Sequence, residues 1–286
     1  MAMPRPTAVS ARRRARVRGY KAPFDSEPYK TGGSYRVPAA AYHRAMITNS
    51  ASGTNIQEIA ADIYRINTPV AIPGTPGFSF NQYLVVDDAP FLFHTGLRGL
   101  FPVVSEAIAA VMPIARLKYV GLSHFEADEC GAINEFLAVA PTAVPVCGRV
   151  AAMTSVNDFA ERRPQVLADQ EELDLGHHRI RWFDTPHVPH SWECGLAMDM
   201  STRTFFCGDL FTQGGDGAVA ITESDILGPS EAFRKPLDYF AHAPQTREVL
   251  EALARHEPMT LACMHGSAWR GNGARLLRAL RDALSA

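Results

Sequence analysis

Three side chains of metal-binding type, His124, Glu126 and Asp128, alternate along Ser123-His124-Phe125-Glu126-Ala127-Asp128. Alternate residues of an extended segment project to one side, so the trio can converge on a cation. Alone it is a weak signal, because acids and histidines in a turn are usually just solvated. Three later segments strengthen it. Residues 185–193 carry His187 and His190, Phe206-Cys207-Gly208-Asp209 carries an acid, and Leu261-Ala262-Cys263-Met264-His265 ends in another imidazole. Each places a His or Asp just beyond an apolar, strand-like run, where a sheet-based enzyme collects ligands along one rim.

The elements that must position these residues alternate in type. Residues 58–67 and 80–86 read as early strands with the Pro- and Gly-rich loop 73–77 between them, and 103–116 has helical periodicity. A buried strand over 117–123 leads into the His124 motif, and a helix over 129–139 follows. A strand is expected at 143–147, a helix at 149–161, and short strands between 163 and 208, among them 180–184, 195–199 and 204–207. Helices at 245–256 and 273–284 flank a strand at 259–264. Strands mixed with crossover helices define the α/β class.

With these motifs in this order, the chain resembles the metallo-β-lactamase superfamily, and within it the diiron domain of flavodiiron proteins and related oxygen-binding diiron proteins. The resemblance covers residues 56–286 and implies an αββα sandwich, two sheets face to face between outer helices. Residues 1–55 then form a basic, disordered N-terminal extension. Most hydrolases of the superfamily carry His-x-His-x-Asp-His in the first motif. Here Glu126 stands at the second ligand position, as in flavodiiron proteins, which favours two iron ions over zinc. By resemblance His124, Glu126, His190 and Asp209 hold one iron, and Asp128, Asp209 and His265 the other, with Asp209 bridging. His187 is the alternative to His190.

There are two departures. Where the family motif usually continues Asp-His, this chain has Asp128-Glu129, so the second metal is left open, water-ligated or weakly held, or takes Glu129 in place of the imidazole. His94 occupies a position that is often acidic in the superfamily, as a supporting residue or a core one. The resemblance implies a protein that binds or reduces O2 or NO, or senses oxygen without turnover. Electrons would come from an external flavoprotein or rubredoxin, because the chain ends 21 residues after His265 with no FMN-binding segment. A metal-dependent hydrolase of an ester, thioester or lactone is the other reading, since Gly208-Asp209-Leu210-Phe211 is hydrolase-like.

Composition sets the remaining bounds. A chain of 286 residues with 47% hydrophobic content can bury one large core. Residues 1–45 hold ten Lys and Arg against two acids, which leaves 18 basic and 28 acidic residues in the body. The Arg-rich tail lacks an apolar segment behind it, which argues against export and for a cytoplasmic protein, and neither nucleic acid nor membrane is expected as a partner; a homodimer is possible. Five widely spaced cysteines without a Cys-x-x-Cys pair read as reduced, buried thiols. Gly214-Gly215-Asp216-Gly217 is a flexible loop near the pocket, and Trp192, Phe211 and Trp269 either line its mouth or pack.

Overall fold

The computed structural model describes residues 45–284. Most of the basic extension lies outside them, but its last residues are ordered into sheet, since β1 (Met46–Asn49) and β2 (Thr54–Ala60) begin before residue 56. The first sheet has eight strands in sequence order, continuing with β3 (Ile63–Val70), β4 (Phe78–Val85), β5 (Phe91–Phe93), β6 (Tyr119–Gly121), β7 (Val144–Gly148) and β8 (Gln165–Leu167). The second comprises β9 (Glu172–Asp174), β10 (Arg179–Asp184), β11 (Gly195–Asp199), β12 (Thr204–Phe206), β13 (Ile221–Thr222), β14 (Thr260–Ala262) and β15 (Ala268–Arg270), in the order β13-β15-β14-β12-β11-β10-β9.

The period-2 alternation of strand side chains sorts the core into three layers. Tyr83, Val85, Phe91 and Phe93 of the first sheet meet Ile180, Trp182, Ala197 and Phe206 of the second. Their neighbours Leu84, Leu92 and Val120 point the other way, into α1 (Phe101–Ala109), the short α2 (Ala127–Cys130) and α3 (Ile133–Val139). The helical stretch α4 (Arg149–Ala151) and α5 (Asn157–Phe159), joined by a π-wound turn at Ala152–Val156, closes the same layer. On the far side Leu196, Met198, Phe205 and Leu261 pack against α6 (Leu227–Leu237), α7 (Thr246–Ala254) and α8 (Gly273–Ala283). The result is the αββα sandwich.

Several boundaries differ from the pattern-based expectation. The stretch 58–67 is a hairpin rather than one strand: β2 and β3 pair antiparallel through Ala60 and Ile63, and Asp62 turns the chain at φ 55°. The helix expected over 129–139 breaks into α2 and α3, with Ala132 at φ −99° and ψ 14° between them. Helix α6 was not legible at all. Its apolar face is thin, Ser230, Glu231 and Arg234 being among its buried residues, and Pro236 sits inside it. Among the described residues no helix is long and apolar enough to cross a membrane.

Candidate metal centre

Strand register explains why distant residues meet. Parallel β12 and β14 pair Phe206 with Ala262, and three residues beyond that pair lie Asp209 and His265. In the other sheet Gly121 is the last paired residue of β6, and His124 again lies three beyond it. Gly208, at φ 52°, turns the chain just before Asp209; an added Cβ there would lie 3.1 Å from Leu196 and 3.3 Å from Ser123 Oγ. The rims are stitched together: Gly195 N donates to Ser123 O at 2.8 Å, and Asn81 N donates to Met264 O at 2.9 Å.

His124, Glu126, His190 and Asp209 converge, each offering a ligand atom within 4.8 Å of the others. His124 Nε2 lies 2.9 Å from His190 Nε2 and 3.0 Å from Glu126 Oε2, and His190 Nε2 lies 3.1 Å from Glu126 Oε2. Asp209 Oδ2 stands 3.6 Å from His124 Nε2 and 3.4 Å from His190 Nε2. Its other oxygen, Oδ1, faces His265 Nε2 at 3.2 Å, and Asp128 Oδ2 lies 3.4 Å from the same nitrogen. One carboxylate therefore faces two ligand groups. His187 belongs to neither group; its backbone N–H is spent on Ser191 O within the loop between β10 and β11.

The imidazoles are oriented from behind. His265 Nδ1 donates to Ser79 O at 2.9 Å, which leaves the Nε2 lone pair facing the acids. His124 Nδ1 is 2.9 Å from Ser123 Oγ, which is 3.0 Å from His94 Nε2, and His94 Nδ1 is 2.9 Å from Met264 Sδ. These contacts read as one directional chain: His124 N–H to Ser123, Ser123 O–H to His94, His94 N–H to sulfur. His124 Nε2 is then the free lone pair. His94 is thus a supporting residue, kept neutral because burial pulls it down to about 3. Glu193 Oε1 accepts from Phe125 N at 3.1 Å and so ties the loop of His190 to that of His124.

Facing lone pairs a hydrogen-bond length apart require a proton or a cation between them. In the metal-free chain the proton fills this role. Burial disfavours charge on His265, yet Asp128 and Asp209 outweigh it and push the ring up to about 9. Burial likewise opposes ionisation of Asp209, but His265 and the other imidazoles hold it down at about 2. A cation fits the same place. Metal bonds of about 2.1 Å set at right angles put neighbouring ligand atoms about 3.0 Å apart, close to the spacings around His124, His190 and Glu126. Glu129, fully buried with both carboxylate oxygens lacking a hydrogen-bond partner among the described residues, leaves acceptor capacity that only a cation or further protons would use. Three imidazoles with hard carboxylates suit iron.

Other sequence-flagged residues play structural parts. The Gly214–Gly217 loop is anchored rather than flexible: Arg65 Nη2 donates to Gly217 O at 2.8 Å and Asn67 Nδ2 to Asp216 O at 3.1 Å. Phe211 lies in the core and Trp192 is exposed. All five cysteines are free and buried, and burial pushes Cys130 and Cys147 up to about 12. Sequence reasoning gave no role to Ser123, Ser79 or Glu193, and nothing in residue type distinguishes such supporting groups from ordinary polar residues.

The family model for "ODP family beta lactamase" matches residues 78–266, so the chain belongs to that family, a metallo-β-lactamase-superfamily domain of flavodiiron type. It is 26% identical over 214 residues to the anaerobic nitric oxide reductase flavorubredoxin of Salmonella arizonae, covering 68% of this chain and 42% of that protein. It is 26% identical over 208 residues to the rubredoxin-oxygen oxidoreductase of Megalodesulfovibrio gigas, covering 68% and 50%. The metal-soaked Flv1 flavodiiron core from Synechocystis sp. PCC6803 superposes with a TM-score of 0.66 at 24% identity, over 81% of this chain and 60% of that one. The chain spans about a third to a half of the length of the curated relatives it matches.

Proposed function

We propose that this domain is a diiron oxidoreductase unit that binds and reduces O2 or NO, with electrons from a flavin or rubredoxin donor. The observation that carries the reading is the Asp209 carboxylate, whose two oxygens face two separate imidazole-carboxylate groups at 3.2–3.6 Å. His124, His190, Glu126 and Asp209 would hold one iron, and Asp128, His265 and Asp209 the other. Held there, two iron ions would supply the redox chemistry, electrons for the reduction of a diatomic molecule bound beside them.

The protein's own groups define access and rigidity. Phe78 stacks on the His265 ring at 4.3 Å and Phe80 meets its edge at 5.5 Å, so that side is closed by apolar surface. The Glu126 side chain is 54% exposed, which makes the Glu126–His190 edge the open one. A small apolar gas needs no further recognition element there. Tyr239 Oη donates to Asp209 O at 3.1 Å and holds the bridging residue's backbone. Relatives named for nitric oxide and for oxygen reduction support the substrate class.

The test is elemental analysis of protein produced with both iron and zinc available, followed by anaerobic reduction and exposure to NO or O2. About two irons per chain and gas consumption dependent on a reduced rubredoxin or flavoprotein are expected. Two zinc ions with turnover of a lactone or thioester would replace this reading with the hydrolase one.

A further inference from the structure

Glu129 is the residue that neither the family pattern nor an ordinary core accounts for. It sits in the first turn of α2, directly after Asp128, and its side chain is 0% exposed. Both of its carboxylate oxygens are buried without a hydrogen-bond partner. Its backbone carbonyl accepts from Thr95 N at 2.8 Å and from Thr95 Oγ1 at 3.3 Å, which fixes the turn and aims the side chain inward. There Oε2 stands 3.8 Å from His124 Nε2, and Glu126, Asp128 and Glu129 offer oxygens within 4.8 Å of one another. A merely structural carboxyl would be given donors, whereas among the described residues its polar neighbours are another acid, Asp128, and the His124 ring, with no backbone N–H or neutral hydroxyl aimed at it.

We infer that Glu129 is a further carboxylate ligand of the centre: its oxygen lies within reach of the His124 group, and its place directly after Asp128 in α2 assigns it to the ion that Asp128 and His265 would hold, where the family motif usually has an imidazole. The inference rests on the two-metal reading above. Charge supports it: with two divalent ions bound, Glu126, Asp128, Glu129 and Asp209 as carboxylates would supply the four negative charges that balance them when the three imidazoles are neutral. The donor set of that half becomes one imidazole and otherwise carboxylate, which favours Mn(II) and Fe(II) over zinc. The two halves of the centre therefore differ in hardness.

The experiment titrates the metal-free full chain with Mn(II), counting bound ions by equilibrium dialysis and free Mn(II) by its EPR signal. Wild type should take two ions. In Glu129→Gln the first should bind as before and the second should weaken at least about 100-fold, the upper end of what even indirect ligand support is worth. Glu129→His should restore the second ion and shift competition toward zinc. Two ions in Glu129→Gln within about threefold of wild-type affinity, or one ion in both proteins, would overturn the inference while leaving a metal centre standing. No ion in wild type would overturn the underlying reading as well. Thermal melts of the metal-free proteins guard against misfolding. Glu129→Gln removes an orphaned buried acid and should melt no lower than wild type; if it does not fold, the count and zinc preference of Glu129→His decide.

Discussion

In the metal-free protein His265 should act as a pH-dependent staple between the two sheets. Its Nδ1 donates to Ser79 O of β4, while Nε2, on the second sheet's rim, faces Asp209 and Asp128 at 3.2 and 3.4 Å. Burial opposes protonation, but the two acids raise the folded-state value to about 9 against 6.5 for the free side chain. Because the folded value is the higher one, the stabilisation is full below pH 6.5 and disappears as pH rises through 9. A gap of about 2.5 pH units at 1.36 kcal/mol each gives about 3 kcal/mol. The assay is urea denaturation in EDTA from pH 6 to pH 10, comparing wild type with His265→Asn, whose amide can still donate to Ser79 O. The wild-type advantage should shrink by about 3 kcal/mol across that range, and bound metal should abolish the trend by taking the proton's place. A difference that stays constant within about 1 kcal/mol would refute the coupling between His265 and its acids.

Asp209→Ala should release both ions and His265→Ala mainly the second, as read by metal analysis after gel filtration; full metal content in Asp209→Ala would mean that the ligand set is wrong. Ser123→Ala breaks the chain from His94 to His124 and should lower metal affinity about 10–100-fold, measured by chelator competition, at a stability cost of about 1–2 kcal/mol. Gly195→Ala would place a Cβ 2.0 Å from Cζ2 of the buried Trp182, so it should cost about 3 kcal/mol and lower Tm by roughly 6–12 °C.

The sequence was most readable where chemistry and pattern disagreed. A His or Asp just past an apolar strand has no packing reason to be there, so His124, Asp209 and His265 stood out, and the structure draws them to one rim. The choice between His190 and His187 was not readable, because it depends on the path of a loop that folds on itself through Thr185 N to Cys194 O and His187 N to Ser191 O. Glu129 was visible as a departure from a motif, but not as a buried, partnerless acid. Similar blind spots govern the fold. Ile59, Ile63 and Ile66 read as one continuous strand because no Gly or Pro marks the turn that Asp62 makes. Helix α6 was missed because it buries Ser230, Glu231 and Arg234, the last two paired with each other at 2.8 Å, instead of an apolar stripe.

The origin of the ligands also sets how strongly the centre should stabilise the protein. His124, Glu126 and Asp128 follow a strand of the first sheet, whereas His190, Asp209 and His265 follow strands of the second. The contacts that hold these rims together, Gly195 N to Ser123 O, Asn81 N to Met264 O and Tyr83 Oη to Cys263 O, run between the same two sheets. Unfolding that parts the sheets must therefore break every proposed site, leaving only the sequence-adjacent His124, Glu126, Asp128 and Glu129 without their partners on the second sheet, a remnant that holds an ion far more weakly than the folded centre. Binding free energy then becomes folding free energy. An ion at 100 times its dissociation constant should add about 2.7 kcal/mol, and two independent ions about twice that. Denaturation with increasing Fe(II) or Mn(II) under anaerobic conditions should show this logarithmic rise in wild type, half of it in His265→Ala and none in Asp209→Ala. A wild-type stability independent of metal concentration would mean that the ions do not bridge the two sheets.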